Sequence, residues 1–311
     1  SEILVDQHFV RVNYYKIERK LMRYLIFILL IIAASTNLYS QIWLKIYDSK
    51  LKDWTNIAEV EEAMEESQIL FVGEKHDHEL GHKVEFNLLQ SYWKIHGNVA
   101  IAMEMFERDV QHIMDGYINK GVTKKFFLQH SRPWGNYDTA YQPLVEFARN
   151  LKLKVLAMNV PRRYAGYVAM GKEKFLATFP KLEKSYMVDK IIALPGKYRD
   201  KFYKTMENHA PPEKIEQYYR AQCLKDDTMA KSIIEHLNQD PRACIISYTG
   251  SFHSDEGFGL VDKVLKQKPD LKILLVTIIP VQGEIKDPEK YSHLADFIFF
   301  APGKKKNKMN Q

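Results

Sequence analysis

The sequence predicts an α/β fold: a mainly parallel sheet flanked by helices, with a smaller helical subdomain formed by long insertions. Three observations lead there. Short apolar runs, rich in β-branched and aromatic residues, recur at 69–72, 99–103, 154–158, 243–248, 272–279 and 297–300. Continuous runs of that length suit strands buried on both faces, the habit of parallel sheets. Between them lie longer patterns such as 80–96 and 258–267, long enough for crossover helices. Two connections, roughly 105–150 and 163–240, are too long for simple crossovers and carry many aromatics, so they are expected to build the helical layer.

Before the first strand, residues 25–34 form an unbroken apolar run, preceded by Arg19, Lys20 and Arg23 and followed by a small, polar stretch at 35–41. Such a run is too short for a bilayer, which takes about 20 residues. A basic flank, a short apolar core and a small residue at the cut are the parts of a secretory signal peptide, here with Met22 as a natural start and cleavage after Ser40. The expected organisation is a leader over 1–40, one α/β domain over 41–303 and a basic tail over 304–311. The expected location is the periplasm or the extracellular or outer-membrane surface, with a retained membrane anchor as the alternative. No cysteine lies near the cut, so a lipoprotein is not expected.

Composition narrows the function classes. The 311 residues are 46% apolar and 27% charged, as in an ordinary globular protein. The formal charge of +6 is concentrated in the leader and in Lys304, Lys305, Lys306 and Lys308, which leaves a body near neutrality. A neutral body has no electrostatic footprint for nucleic acid, so no nucleic-acid partner is expected. Two cysteines, Cys223 and Cys244, are too few for a disulfide framework and read as buried thiols.

The informative pattern is where polar residues follow the apolar runs. Val72 is followed by Gly73-Glu74-Lys75-His76-Asp77, Met103 by Glu104, Met158 by Asn159-Val160-Pro161-Arg162, and Tyr248 by Thr249-Gly250-Ser251-Phe252-His253. In an open parallel sheet the carboxyl ends of the strands share one edge, and ligands bind in the crevice there. Glu74, His76, Glu104, Arg162 and His253 are therefore expected in one solvent-accessible pocket, with Asp77, His82 and Asn159 beside them. Arg162 is expected to meet a carboxylate, either a ligand's or Glu74 or Glu104. His78-Glu79-Leu80-Gly81-His82 also matches the H-E-x-x-H pattern of zinc proteases, but no third histidine stands at the required spacing, so chance overlap is the reading.

These blocks resemble the ChaN family of haem-binding uptake proteins, within the superfamily that includes Tiki metalloproteases and erythromycin esterases. The resemblance runs from about 65 to 265. It rests on Gly73-Glu74-Lys75-His76-Asp77 with His82, on Glu104-Met105-Phe106-Glu107-Arg108-Asp109 with Gln111, and on Trp134 with Tyr141-Gln142-Pro143-Leu144. It continues through Ala157-Met158-Asn159-Val160-Pro161-Arg162, residues 221–230, and Gly250-Ser251-Phe252-His253. Where many members carry a tyrosine before a glycine pair, this chain has Glu256.

The resemblance implies an exported protein of haem or iron uptake. Haem would lie between two subunits of a ligand-linked homodimer, and an outer-membrane haem receptor would be a partner. A tyrosine would ligate each iron, and Tyr137 and Tyr141 are the candidates because they lie in a matching block. The superfamily also implies a rival, a metal-dependent hydrolase. In it, Glu74, His76, Glu104 and His253 would hold a divalent transition metal with an open position for water. In a metal-free variant His76 or His253 would act as general base beside a carboxylate, with His76, Glu104 and His253 as the catalytic candidates. Carrier and enzyme both stay open at this point.

Overall fold

The computed structural model describes residues 44–303; the leader and the lysine tail lie outside the described residues. The chain starts with a hairpin, β1 (Lys45–Asp48) and β2 (Asp53–Thr55). The sequence predicts no strand here, because Lys45, Asp48 and Asp53 interrupt any apolar run. Helix α1 (Ile57–Glu66) is started by Asn56, whose Oδ1 accepts from the Ala58 N–H at 2.8 Å. Then follow β3 (Ile69–Glu74), α2 (Glu79–His96) and β4 (Val99–Glu107). Gly97 ends α2 with φ +73°, a left-handed turn that glycine adopts without a Cβ penalty, and its N–H caps the Trp93 carbonyl at 2.7 Å.

The first insertion forms α3 (Gln111–Ile118), α4 (Lys124–His130), α5 (Tyr137–Ala140) and α6 (Gln142–Leu151) before β5 (Val155–Asn159). The second forms α7 (Arg162–Ala169), α8 (Lys181–Ser185), α9 (Lys197–Met206) and the long α10 (Pro212–Gln239). The chain closes with β6 (Cys244–Gly250), α11 (Leu260–Gln267), β7 (Ile273–Val281) and β8 (Phe297–Pro302). The two insertions do not make a single layer. The first packs against α2, whereas the second has its own core of Val160, Tyr164, Val168, Ile191, Phe202 and Tyr219.

The strands form one eight-stranded sheet in the order β2-β1-β8-β7-β3-β6-β4-β5. β1 runs antiparallel to β2 and β8, and all other neighbours are parallel. From β3 the chain lays β4 and β5 to one side, returns to insert β6 between β3 and β4, and then crosses β3 to add β7 and β8. The winding direction thus reverses beside β3 and β6, the place where an open sheet offers a crevice.

Alternation along each strand assigns side chains to the two faces. Ile69 and Phe71 of β3 and Ala100 and Ala102 of β4 join Met229, Ile233 and Leu237 of α10 and Leu260 and Val264 of α11. The opposite face is covered by α2, with Val84, Leu88, Leu89 and Tyr92 buried. Each large apolar side chain buried in these layers contributes about 1.5–3 kcal/mol.

Candidate functional site

The same alternation sends the two strand-end carboxylates to opposite faces. Glu74 falls in step with Leu70 and Val72 and faces α2; Glu104 falls in step with Ala100 and Ala102 and faces α10. Each therefore meets a different set of partners.

On the α2 side Glu74 is 1% exposed. Its Oε1 accepts from His76 Nδ1 at 2.6 Å and from the Tyr141 hydroxyl at 2.8 Å, and its Oε2 lies 3.2 Å from His82 Nδ1. Burial alone would raise this carboxyl, but the hydrogen bonds from His76 and His82 hold it well below the usual range. His82 lies on the first turns of α2, and its Nδ1 also reaches Glu85 Oε2 at 3.1 Å. Burial opposes charge on His82, yet Glu74 and Glu85 push it up to about 10. Glu85 itself is pushed upward, by burial first and by the Glu74 charge second.

On the α10 side Glu104 Oε1 lies 3.3 Å from His253 Nε2, and His253 Nδ1 donates to Asp226 Oδ1 at 2.6 Å. Burial disfavours both charges, but each partner stabilises the other. Glu104 is held down at about 2, chiefly by His253, and His253 is pushed up to about 10 by Glu104 and Asp226. Tyr198 donates to Asp226 Oδ2 at 2.7 Å, and the Gln222 amide lies 3.1 Å from His253 Nδ1.

Gly250 joins the two sides. Its N–H donates to Glu104 Oε2 at 2.7 Å, and a Cβ there would lie 2.8 Å from His76 Nε2 and 3.6 Å from Glu104 Oε2. Only the missing side chain lets the His76 ring rest on the end of β6. His76 is the opening to solvent: its side chain is 44% exposed, against 1% for Glu74, 4% for Glu104 and 6% for His253. Trp134 meets its ring edge-on with centroids 4.8 Å apart.

Other sequence-predicted residues stand elsewhere. Arg162 meets a carboxylate, but it is Glu107, at 2.7 Å, because β4 runs on past Glu104 and brings Glu107 to the start of α7. Asp77 is exposed on the turn before α2, outside this network. Asn159 is buried and donates to the Glu104 carbonyl at 3.0 Å, so it braces the backbone of β4. Tyr137 is core, its ring beside Phe106 and Phe127, and the Tyr141 phenol is buried and spent on Glu74. Burial raises both phenols far above their ordinary range, so each is a neutral group without an open face for an iron. His78 bonds the Pro302 carbonyl at 2.9 Å while His82 faces Glu74 and Glu85, so the two histidines of H-E-x-x-H serve different partners.

The expected metal quartet also separates, because Glu74 and Glu104 face opposite ways and His253 is held between Glu104 and Asp226. Among the described residues, the set with donor atoms within 4.8 Å of one another is Glu74, His82 and Glu85. Glu85 and Asp226 were not singled out from the sequence. Their signal was an acidic residue on the apolar stripe of a helix: Glu85 between Val84 and Leu88, Asp226 between Cys223 and Ala230.

A separate cavity of about 1040 Å³ opens in the second insertion. Val168, Phe175, Leu176, Met187 and Ile191 wall it, and Lys172, Lys174, Lys184, Lys190 and Arg220 stand around it. Arg220 lies on α10, close along the helix to Gln222 of the His253 site.

The model of the family described as haem-binding uptake, Tiki superfamily, ChaN matches residues 60–264. Among solved structures the chain is similar to ChaN of Campylobacter jejuni, determined with cofacially bound haem. Identity is 16% and the TM-score 0.61, over 84% of this chain and 97% of that one. It is also similar to a variant of the erythromycin esterase EreC in its open conformation, at 10% identity and TM-score 0.46, over 84% of this chain and 83% of that one. No functionally curated protein matches the sequence. At these identities the structural likeness speaks for the fold alone.

Proposed function

This chain belongs to the ChaN family of haem-binding uptake proteins in the Tiki superfamily, and on that premise we propose that it is an exported haem carrier that seats the tetrapyrrole in the cavity of its second helical insertion. The cavity carries the proposal. Its volume is that of a pocket for a large ligand, apolar side chains form part of its wall, and its lysines outnumber its two carboxylates, Glu173 and Asp189. The crevice at the strand ends suits haem less well: its carboxylates would repel propionates, and its interior is filled by ion pairs. Val168, Phe175, Leu176, Met187 and Ile191 would hold the ring, and Lys172 and Lys190 the propionates, since Arg220 is paired with Glu173 at 2.7 Å through both Nε and Nη2. Bound haem supplies the iron, and the chain's own residues bind and orient it.

The second insertion also leaves Phe175, Leu182, Ile192 and Leu194 between 45 and 65% exposed. Such apolar exposure supports a second copy of the chain closing over bound haem as a ligand-linked dimer. Export through residues 25–34 and transfer to an outer-membrane receptor complete the proposed uptake role.

Haem titration of the full chain, read by the Soret band and by sedimentation, tests this reading. Phe175→Asp and Lys190→Glu are each expected to weaken binding roughly tenfold, the worth of about 1.4 kcal/mol. Unchanged binding in both, with loss in His76→Ala, would move the ligand to the strand-end crevice.

One observation favours a second, hydrolytic activity. His76 has Nδ1 anchored on buried Glu74 while its Nε2 makes no hydrogen bond and lies beside Gly250 in a half-exposed side chain, the arrangement of a general base and its orienting carboxylate. Ester or amide hydrolysis abolished by His76→Ala is the result that supports it.

A further inference from the structure

Beneath the exposed His76, Glu74, His82 and Glu85 converge in the interior, 1, 7 and 0% exposed. His82 Nδ1 lies 3.2 Å from Glu74 Oε2 and 3.1 Å from Glu85 Oε2, and all three donor atoms fall within 4.8 Å of one another. We propose that these residues form a site for one divalent transition metal ion of the zinc–manganese class, held by His82 Nδ1 and one carboxylate oxygen each from Glu74 and Glu85.

The imidazole is already set as a ligand. Its Nε2 faces the His76 carbonyl at 3.1 Å, so Nε2 carries the hydrogen and Nδ1 points at the two carboxylates. A metal-bound histidine characteristically donates its other N–H to a carbonyl in this way. In the ion-free protein a proton on Nδ1 lies between the ring and the two carboxylates, and a metal ion would displace that proton. Ligands about 2.0–2.2 Å from a tetrahedral ion stand roughly 3.3–3.6 Å apart, so the two edges at His82 need to open by only a few tenths of an ångström.

Two carboxylate oxygens of the cluster, Glu74 Oε2 and Glu85 Oε1, are buried without a well-formed hydrogen bond, the donor facing Glu74 Oε2 being His82 Nδ1 at 3.2 Å. Buried acceptors are normally satisfied, and leaving one bare costs about 1–3 kcal/mol. A divalent ion held by Glu74 Oε2 would satisfy that oxygen, and its charge would balance the two carboxylates beside a neutral imidazole. The surroundings hold the ligands in place: Tyr141 donates to Glu74 Oε1, and Tyr248 donates to the Glu85 carbonyl at 2.9 Å. One imidazole with two carboxylates and no thiolate selects a borderline-to-hard ion over copper(I). The site lies beneath His76, to which Glu74 links it.

The test uses the full chain, stripped with chelator and free of haem, so that its outcome is separate from that of the haem reading. Zn²⁺ and Mn²⁺ are titrated in turn, and bound ion is counted by calorimetry and by metal analysis after desalting. Wild type and Asp77→Asn, a change at the exposed turn outside this network, are expected to bind one equivalent, and Glu85→Gln, which keeps the side-chain volume, to bind about a hundredfold more weakly or not at all. With Co²⁺ as probe in wild type, the paramagnetic shifts should fall on the His82 ring protons. Full binding by Glu85→Gln, shifts on His253 instead of His82, or no ion bound by wild type would each overturn the proposal. The Co²⁺ spectrum decides alone if Glu85→Gln does not fold.

Discussion

His253 Nδ1 and Asp226 Oδ1 are 2.6 Å apart, a buried contact that fastens the middle of α10 to the turn after β6. Asp226→Asn leaves the imidazolium with Glu104 alone and is expected to cost about 3 kcal/mol, the range for breaking a buried ion pair. The pH dependence follows from the same contact. His253, raised to about 10, contributes stability fully below its ordinary 6.5 and loses it as pH rises through 10. Glu104, lowered to about 2, contributes above its ordinary 4.5 and loses it as pH falls through 2. Urea unfolding should therefore show a plateau between those two ordinary values, with a shallower alkaline decline in His253→Gln.

Proton affinity at His76 is lowered by burial but raised, on balance, by its bond to Glu74 and by the Glu104 charge. A general base acts in its neutral form, so any hydrolytic rate should climb with pH through a value above 6.5. His76→Gln should remove that limb and, by taking away the Nδ1 bond to buried Glu74, should lower stability by about 1–3 kcal/mol. A rate with no histidine limb in wild type would end the general-base reading.

Tyr141→Phe separates the haem reading from the network. The phenol donates to Glu74, so its removal should lower stability by about 1–2 kcal/mol in calorimetry. The Soret band of the haem complex should stay where it is. A shifted band would return Tyr141 to the role of iron ligand.

Gly250→Ala places a methyl 2.8 Å from His76 Nε2 and 2.9 Å from Cε1. The ring is exposed enough to swing outward, so the cost should be about 1–2 kcal/mol, at the modest end for overpacking. The His76 ring resonances should move while those of His253 stay. Loss of folding would show that the ring cannot yield.

The sheet was legible because buried parallel strands are continuous apolar runs: 69–72 and 99–103 lie within strands, and so does 243–248 apart from its first residue. The edge hairpin was not, since its few residues pair through backbone with little apolar signal. At the site, the sequence named Glu74, His76, Glu104 and His253 from their places after strands. It did not separate them by face, since Glu74 and Glu104 read as residues following the apolar runs although both strands extend to include them and alternate their faces. Glu85 and Asp226 were hidden for another reason: each lies a turn or more along a helix, where only the folded packing shows an acid opposite an imidazole. Arg162 misled because the end of β4 cannot be read from an apolar run that stops at Met103 while the strand continues to Glu107.

The placing of β3 at the centre of the sheet also governs the order of events during synthesis. Ile69 lies between Ile245 and Ile273, so the earliest parallel strand waits for the last third of the chain before either neighbour exists. Until then its apolar edge is open to other chains, and closure of so long a loop is slow. A ribosome-bound fragment ending before β6 should be protease-sensitive around Phe71 and should need a holding chaperone, whereas local helix pairs such as α1 with α2 can form at once.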